Sequence, residues 1–271
     1  EGLRGNFGLS YRTREPVGRM IVERLPATLE LALMAALFAL CVGVPMGVHC
    51  GLRPRHWTSR LMQAVSLIGI SLPTFLIGIL LILIFAVTAD RWQSFIGIPE
   101  FLRFSLPSFG RGDVVDLGGW RPGFLTGSGL QALIMPAVTL GLFQLTLIML
   151  LVRAEMLEVM RTDYIKFARA RGLADRSVHF GHALKNTLVP VITVTGLQIG
   201  QLVAFAIITE TVFSWPGVGQ LFIQSVSAAD IPVMAAYLSL IALVFVAINL
   251  AVDLLYFAVD PRLRTAQAAA R

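Results

Sequence analysis

Five stretches of this chain, roughly 27–49, 61–88, 130–152, 187–209 and 231–258, run for 18 residues or more with almost no charge. A helix rising ~1.5 Å per residue needs about that length to cross a hydrocarbon core ~30 Å thick. Hydrophobic residues make up 56% of the sequence and charged residues 14%, a charge content too low for an ordinary soluble domain. No ten-residue alternating pattern suggests a membrane β-barrel. The runs carry many Gly, Ser, Thr and Pro residues, as in "GISLPTFLIG" at 69–78, which membrane helices tolerate and use for close packing. The expected fold is therefore an all-α, polytopic helical bundle of five spans.

Basic residues set the orientation, because Lys and Arg are retained on the cytoplasmic side. The loops 50–60, 153–186 and 259–271 hold thirteen in 58 residues, and the alternate set, 1–26, 89–129 and 210–230, holds nine in 88. This density predicts an outside N-terminus and an inside C-terminus. The expected organisation is an external tail over 1–26, a membrane domain over 27–258 with a cytoplasmic loop at 153–186, and a cytoplasmic tail over 259–271. In the first tail, Pro16 opens a pattern with Val17, Met20, Ile21 and Leu25 on one face and Arg19, Glu23 and Arg24 on the other. It predicts a short interfacial helix before the first span. The 89–129 segment, with "GRGD" and "GGWRPG", has no sustained period and reads as a surface loop with Gly-based turns.

The loop 153–186 is the exception to an otherwise apolar design. From Arg153 the residues Met156, Leu157, Met160, Tyr164, Phe167 and Ala168 recur at helical spacing, which predicts that the third span continues as an amphipathic helix. Gly172 then supplies a left-handed position to end it, and Asp175 is placed to cap a second helix carrying Val178, Phe180 and Leu184. A loop of this order is longer than connectivity requires, and it reads as a docking element.

The stretch "KFARARGLADRSVHFGHALKNTLVP" at 166–190 resembles the "EAA" loop of ABC importer permeases, in the form found in the dipeptide and oligopeptide subfamily. "FGLSYRTREPV", "RLPATLELAL", "GISLPTF" and "ETVFSWPGVGQL" resemble the same family in the same order, so the similarity covers nearly the whole chain. The resemblance implies a type I importer permease fold in the bacterial cytoplasmic membrane, with the loop's short helix seated in a groove on a separate ATPase subunit. Ala168 and Gly172 match the second Ala and the Gly of the family pattern. Lys166 and Phe167 stand where the general motif has Glu and Ala, and Lys185 replaces its later Pro. The coupling residues expected are Lys166, Ala168, Arg169, Arg171, Gly172, Asp175, Val178, Phe180 and Leu184. The implied partners are a second permease subunit, ABC ATPase subunits, an external solute-binding protein and the lipid bilayer, with peptide as substrate and no nucleic acid. Family members usually begin with one more span and an external domain. The sequence starts after them at Glu1, without an initiator Met or a signal-like start, as expected of a processed or truncated chain or of one lacking that helix.

No G-x-x-x-x-G-K-[ST] phosphate loop is present, so ATP hydrolysis belongs to a partner and the chain reads as a non-catalytic subunit. No nucleophile and base constellation stands out, and no cofactor is expected. Cys41 and Cys50, nine residues apart, are separated by about 13 Å on a helix and cannot pair with each other. His179 and His182, at i, i+3, have no Cys or carboxylate beside them at helical spacing and read as helix surface, not as metal ligands. Asp253 lies inside the last run with Asn249 one turn before it, near the end where it can snorkel or pair with a loop Arg. A polar path for solute is expected from Ser71, Thr74, Gln144, Thr193, Gln198 and Gln201, with Ser66, Thr146 and Thr195 as further candidates. Interhelical hydrogen bonding is the competing role for each. Within the family, nickel complexes or glutathione are the alternative solutes. Outside it, an ion-coupled secondary transporter needs a carboxylate at the bilayer midplane, and a membrane scaffold needs no hydrated path.

The orientation is tested by cysteine accessibility in a background without Cys41 and Cys50. Cysteines at Ser10 and Ser227 are expected to react with an impermeant reagent in intact cells, and one at Ser177 is not; labelling of Ser177 would reverse the topology.

Overall fold

The computed structural model describes residues 7–99, 103–116, 118 and 120–259. Among the described residues there is no strand, only an isolated antiparallel bridge between Leu9 and Pro16. The helices are α1 (Val17–Leu52), α2 (Trp57–Ser71), α3 (Thr74–Ile82, prolonged by a π-helical turn over Leu83–Val87), α4 (Ala89–Phe95), α5 (Gly127–Val159), α6 (Asp163–Ala170), a π-helical stretch Ser177–Ala183, α7 (Leu184–Val212), α8 (Val218–Ser227) and α9 (Ile231–Val259). Among the described residues three helical segments, Val17–Leu52, Gly127–Val159 and Ile231–Val252, are long and apolar enough to cross a membrane. Two bent pairs, Trp57–Ser71 with Thr74–Val87 and Pro190–Gly196 with Gly200–Val212, bring the number of spans to five if each pair is one span. The five apolar runs thus fall on the five helical regions predicted for them. The break in the second span has a local cause. Pro73 has no N–H to continue the helix and takes φ −57°, ψ 138°, so α2 stops at Ser71 and α3 restarts at Thr74.

Two sequence expectations need correction. The amphipathic turn after Pro16 is not a separate helix, because α1 runs unbroken from Val17 to Leu52. The 89–129 segment is not wholly irregular, because α4 occupies its start and the chain beyond is tied down at named points. The Gln93 amide both donates to the Phe104 carbonyl (2.6 Å) and accepts the Phe104 N–H (2.9 Å). The Leu106 N–H donates to the Phe85 carbonyl (3.0 Å), within the π-helical turn.

The chain divides into two compact units, to both of which α1, α5, α7 and α9 contribute. The first comprises 1–37, 72–141 and 201–244. There Val17 and Ile21 of α1 are buried with Val218 and Leu221 of α8 and Val233, Ala236 and Tyr237 of α9. Buried carboxylates organise the rest. Glu30 accepts the Arg111 guanidinium and the backbone N–H groups of Gly123 (2.8 Å) and Phe124 (2.7 Å), fixing the "GRGD" turn against α1. Glu210 accepts the Thr28 hydroxyl (2.5 Å) and the Gln220 N–H (2.8 Å), while Thr28 accepts the Val218 N–H (2.9 Å). Trp215, fully buried, donates its indole N–H to the Ala27 carbonyl (2.9 Å).

At the start of α9, buried Asp230 accepts the Ser10 hydroxyl and the N–H groups of Tyr11 (3.1 Å) and Arg12 (3.5 Å), with a further bond from the Val233 N–H. Burial alone would raise its titration point, but these donors outweigh it and hold the carboxyl below its ordinary value. Ser10 is buried in this contact, which makes exposed Ser227 the deciding outside position for cysteine labelling.

The second unit comprises 38–71, 142–200 and 245–271. Its centre is a glycine seam in which Gly43, Gly47 and Gly51, one turn apart on α1, lie directly against α5. A Cβ at Gly47 would fall 2.6 Å from the Val152 Cβ and 2.7 Å from the Met149 carbonyl oxygen, and one at Gly51 would fall 2.6 Å from the Met156 Cβ. Such small-residue spacing lets two backbones approach where lipid supplies no hydrophobic driving force. The Thr146 hydroxyl of α5 donates to the backbone carbonyl of Ser66 on α2 (2.5 Å), an interhelical bond, while the Ser66 hydroxyl donates within its own helix to the Gln63 carbonyl (2.9 Å).

Two measurements check these contacts. Gly47→Val is expected to cost about 1–3 kcal/mol by overpacking, read as a lower thermal midpoint in detergent. Gly127→Ala, with nothing within 4 Å of the added Cβ, leaves the midpoint unchanged or slightly raised. For Asp230 the folded-state value lies below the unfolded one, so its stabilisation is fully present above the unfolded value of about 4 and is lost as pH falls through the depressed folded value. Asp230→Asn is accordingly expected to lower stability near neutrality and to reduce the loss of stability on acidification. Equal acid profiles for the two proteins would contradict this.

Candidate coupling segment

α5 ends at Val159, and Met160–Thr162 turn out of it, with Thr162 extended at ψ 151° before α6 begins at Asp163. The helix predicted to run on from Arg153 is therefore two helices. The apolar residues of its period still share a purpose, because Met156 of α5 and Ile165 and Ala168 of α6 are buried in one core. The Thr162 hydroxyl donates to the Val159 carbonyl (2.7 Å), stabilising the turn.

α6 ends in a left-handed cap. Gly172 has φ +75°, its N–H donates to the Arg169 carbonyl (2.9 Å), and the Leu173 N–H reaches back to the Ala168 carbonyl (3.4 Å). These two bonds satisfy carbonyls the helix end would leave unpaired. Nothing lies within 4 Å of a Cβ placed on Gly172, so conformation alone demands glycine there.

The next helix begins at Asp175, with the Val178 N–H bonded to the Ala174 carbonyl (3.1 Å). Asp175 is thus the first helical residue instead of the cap. Nor is the helix carrying Val178, Phe180 and Leu184 a separate piece. It becomes π-helical over Ser177–Ala183 and enters α7 through Leu184, itself helical at φ −60°, ψ −39°.

The nine expected coupling residues divide by environment. Ala168 and Val178 are buried with Ile165, Val152, Met156 and Ala183, and Leu184 packs against the same cluster. Lys166, Arg169, Arg171, Asp175 and Phe180 are exposed. Lys166 pairs with Asp163 (2.8 Å) at the surface, a contact worth ~1 kcal/mol or less. The Arg171 guanidinium lies 5.8 Å from the Phe167 ring centroid. The Tyr164 hydroxyl meets His182 Nδ1 at 2.5 Å, joining α6 to the π-helical stretch. Tyr164, Phe167, Leu173 and Phe180 are all exposed, so one helix-turn-helix carries a buried apolar side and a surface of aromatic and basic groups.

The polar residues expected along a path are less uniform. Ser71 and Gln201 are exposed, and Thr74, Thr193 and Gln198 are half-buried. Gln144 is buried with its Nε2 unpartnered, and Gln198 Oε1, Thr195 Oγ1 and Asn249 Oδ1 are likewise buried without a hydrogen-bond partner. The Asp253 side chain lies outside the described residues, as do residues 260–271 of the C-terminal tail.

Residues 43–265 match the family of the binding-protein-dependent transport system inner membrane component. The chain belongs to that family. This permease is 41% identical over 262 residues to the di/tripeptide transport system permease protein DppB of Pseudomonas aeruginosa, covering 96% of this chain and 77% of that protein. It is 38% identical over 267 residues to the dipeptide transport system permease protein DppB of Escherichia coli K12, covering 97% and 78%. Its fold is similar to that of a chain of the MetNI methionine ABC transporter in an inward-facing form, with TM-score 0.59, 18% identity and coverage of 86% and 93%. An amino acid ABC transporter solved with histidines gives TM-score 0.59 at 12% identity, covering 89% and 94%. The permease is a multi-pass inner-membrane subunit of an ABC importer, a class that works with an ATPase and further subunits.

Sequence reasoning missed Glu30, Arg111 and Glu210. The signal for Glu30 was present, an acid inside an apolar run. Arg111 was hidden in a tetrapeptide that turn chemistry already explained.

Proposed function

We propose that this permease moves di- and oligopeptides inward, and that residues 163–184 receive the stroke of a separate ATPase. The observation that carries the reading is the helix-turn-helix itself. Its inner residues Ile165, Ala168, Val178 and Ala183 are fastened to α1 and α5 through a shared core, and its outer residues offer exposed aromatic and basic groups. A force applied to the outer side is passed to membrane helices by packed contacts. The basic density of the 153–186 loop supports a cytoplasmic position for this surface, where an ATPase works. The peptide substrate is supported by the named activities of relatives aligned over nearly the whole chain. Specificity then rests with an external solute-binding protein, a second permease completes the path, and Gln144 and Gln198 are its best-supported lining residues because each holds a buried, unpartnered polar atom.

The test is Gly172→Val. A non-Gly residue in the left-handed region costs roughly 1 kcal/mol or more, and no neighbouring atom adds to that cost. Membrane insertion and abundance are expected to stay near normal, while uptake of radiolabelled peptide and recovery of the ATPase with the permease fall several-fold. Charge reversal at Arg169 or Arg176 has a smaller effect, since exposed ion pairs contribute about 0–1 kcal/mol. Full uptake with undiminished ATPase recovery in Gly172→Val would remove the coupling role.

A further inference from the structure

A cavity of about 540 Å³ runs along the last turns of α1, walled on its other side by His179, Phe180 and Leu184. Along α1 its lining changes from Val44, Pro45 and Val48 to His49, Leu52 and Arg53, so the end beyond Val48 carries the basic groups of the helix, and no lining residue is acidic. From Val44 to Leu52, its last residue, the helix rises about 12 Å, and Arg53 follows directly.

The basic end has charge to spare. The ion pairs among the described residues join Arg19 to Glu23, Arg111 to Glu30, Arg121 to Asp116 and Lys166 to Asp163, and none engages Arg53. His49 is held in place by Nε2 against the Thr58 hydroxyl (2.8 Å), which also meets His56 Nδ1 (2.7 Å). Trp57, strongly exposed beside them, is the residue type that sits at headgroup depth. A trough that is apolar toward the interior of a membrane-crossing helix and basic at its mouth has the polarity of an amphiphile with a negative head. A soluble anion gains nothing from the apolar floor, and an extended protein segment laid on it would leave backbone groups unpaired.

We propose that this groove binds an anionic phospholipid, with an acyl chain along Val44, Pro45 and Val48 and the headgroup phosphate at Arg53, flanked by His49 and His179. The bound lipid joins the end of α1 to residues 179–184. The binding stands independently of the coupling role proposed for those residues.

The experiment uses the intact transporter complex reconstituted with photoactivatable phosphatidylglycerol or with phosphatidylcholine of the same acyl chains, followed by peptide mapping of the adducts. Phosphatidylglycerol is expected to label the peptides containing 44–53 and 179–184 at least fivefold more than phosphatidylcholine. Arg53→Gln, an exposed change outside the core, brings phosphatidylglycerol labelling down to the phosphatidylcholine level. Pro45→Trp, which fills the groove from its exposed side, removes labelling by both lipids. ATPase recovery on the same samples reports that each variant is assembled. Equal labelling by the two lipids, labelling unaffected by Arg53→Gln in an assembled complex, or cross-linking of groove residues to another subunit instead of lipid would overturn the proposal.

Discussion

The close approach of α1 and α5 at Gly43, Gly47 and Gly51 is the constraint on which the second unit depends. In lipid, two apolar helices gain little by exchanging lipid contacts for each other, and association rests on how completely their surfaces fit. Three glycines in a row on one face remove the side chains that would hold the backbones apart. The residues of α5 they touch include Ile148, Val152 and Met156, which are then free to serve as a floor for the helices that follow α5. α6 and the helix from Asp175 rest on that floor through Ile165, Ala168, Val178 and Ala183. The helix-turn-helix is therefore positioned by a contact buried between two membrane-crossing helices of the same unit.

The first unit is held by a different means. Glu30 and Glu210 are fully buried, and each collects several donors from separate parts of the chain. A buried carboxylate is costly to desolvate, and removing one of its partners costs more than the pair contributes, because the remaining charge is stranded. The arrangement is consequently intolerant: the loop around Arg111, the turn at Gly123 and the start of α8 each owe their placement to a specific oxygen. Thr28 accentuates this by donating to Glu210 while accepting from Val218, so a single hydroxyl binds α1 to the whole 210–220 turn.

Much of the fold was legible because lipid imposes a coarse requirement, long uncharged runs, that the sequence meets in five places. Gly172 was legible because a glycine closing an amphipathic period is the usual mark of a left-handed helix end, and it has the positive φ expected of it. The break at Met160–Thr162 was not legible. Periodicity survives a turn of suitable length, so Met156, Ile165 and Ala168 can share a core whether or not the helix between them is continuous. The role of the acids was missed for the opposite reason. Beside the Arg111 and Thr28 side chains, their partners are the backbone N–H groups of Gly123, Phe124 and Gln220, and since every residue but proline carries such a group, no side-chain pattern marks which of them will be supplied. The candidate path was only partly readable: polar residues can be counted from sequence, but the Thr146 hydroxyl is spent on the backbone of α2 and the Ser66 hydroxyl on its own helix, while Gln144 and Gln198 keep unpartnered atoms.

The π-helical stretch Ser177–Ala183 alters how the helix beyond it must be read. A π turn takes up more chain than an α turn, so angular positions counted forward from Asp175 do not carry through to α7. Phe180 and Gln198 cannot be assigned to a common or opposite stripe on a helical wheel drawn across that joint. Any engineering of α7, whether to move a polar side chain toward solute or to insert a probe, has to take its phase from Leu184 onward.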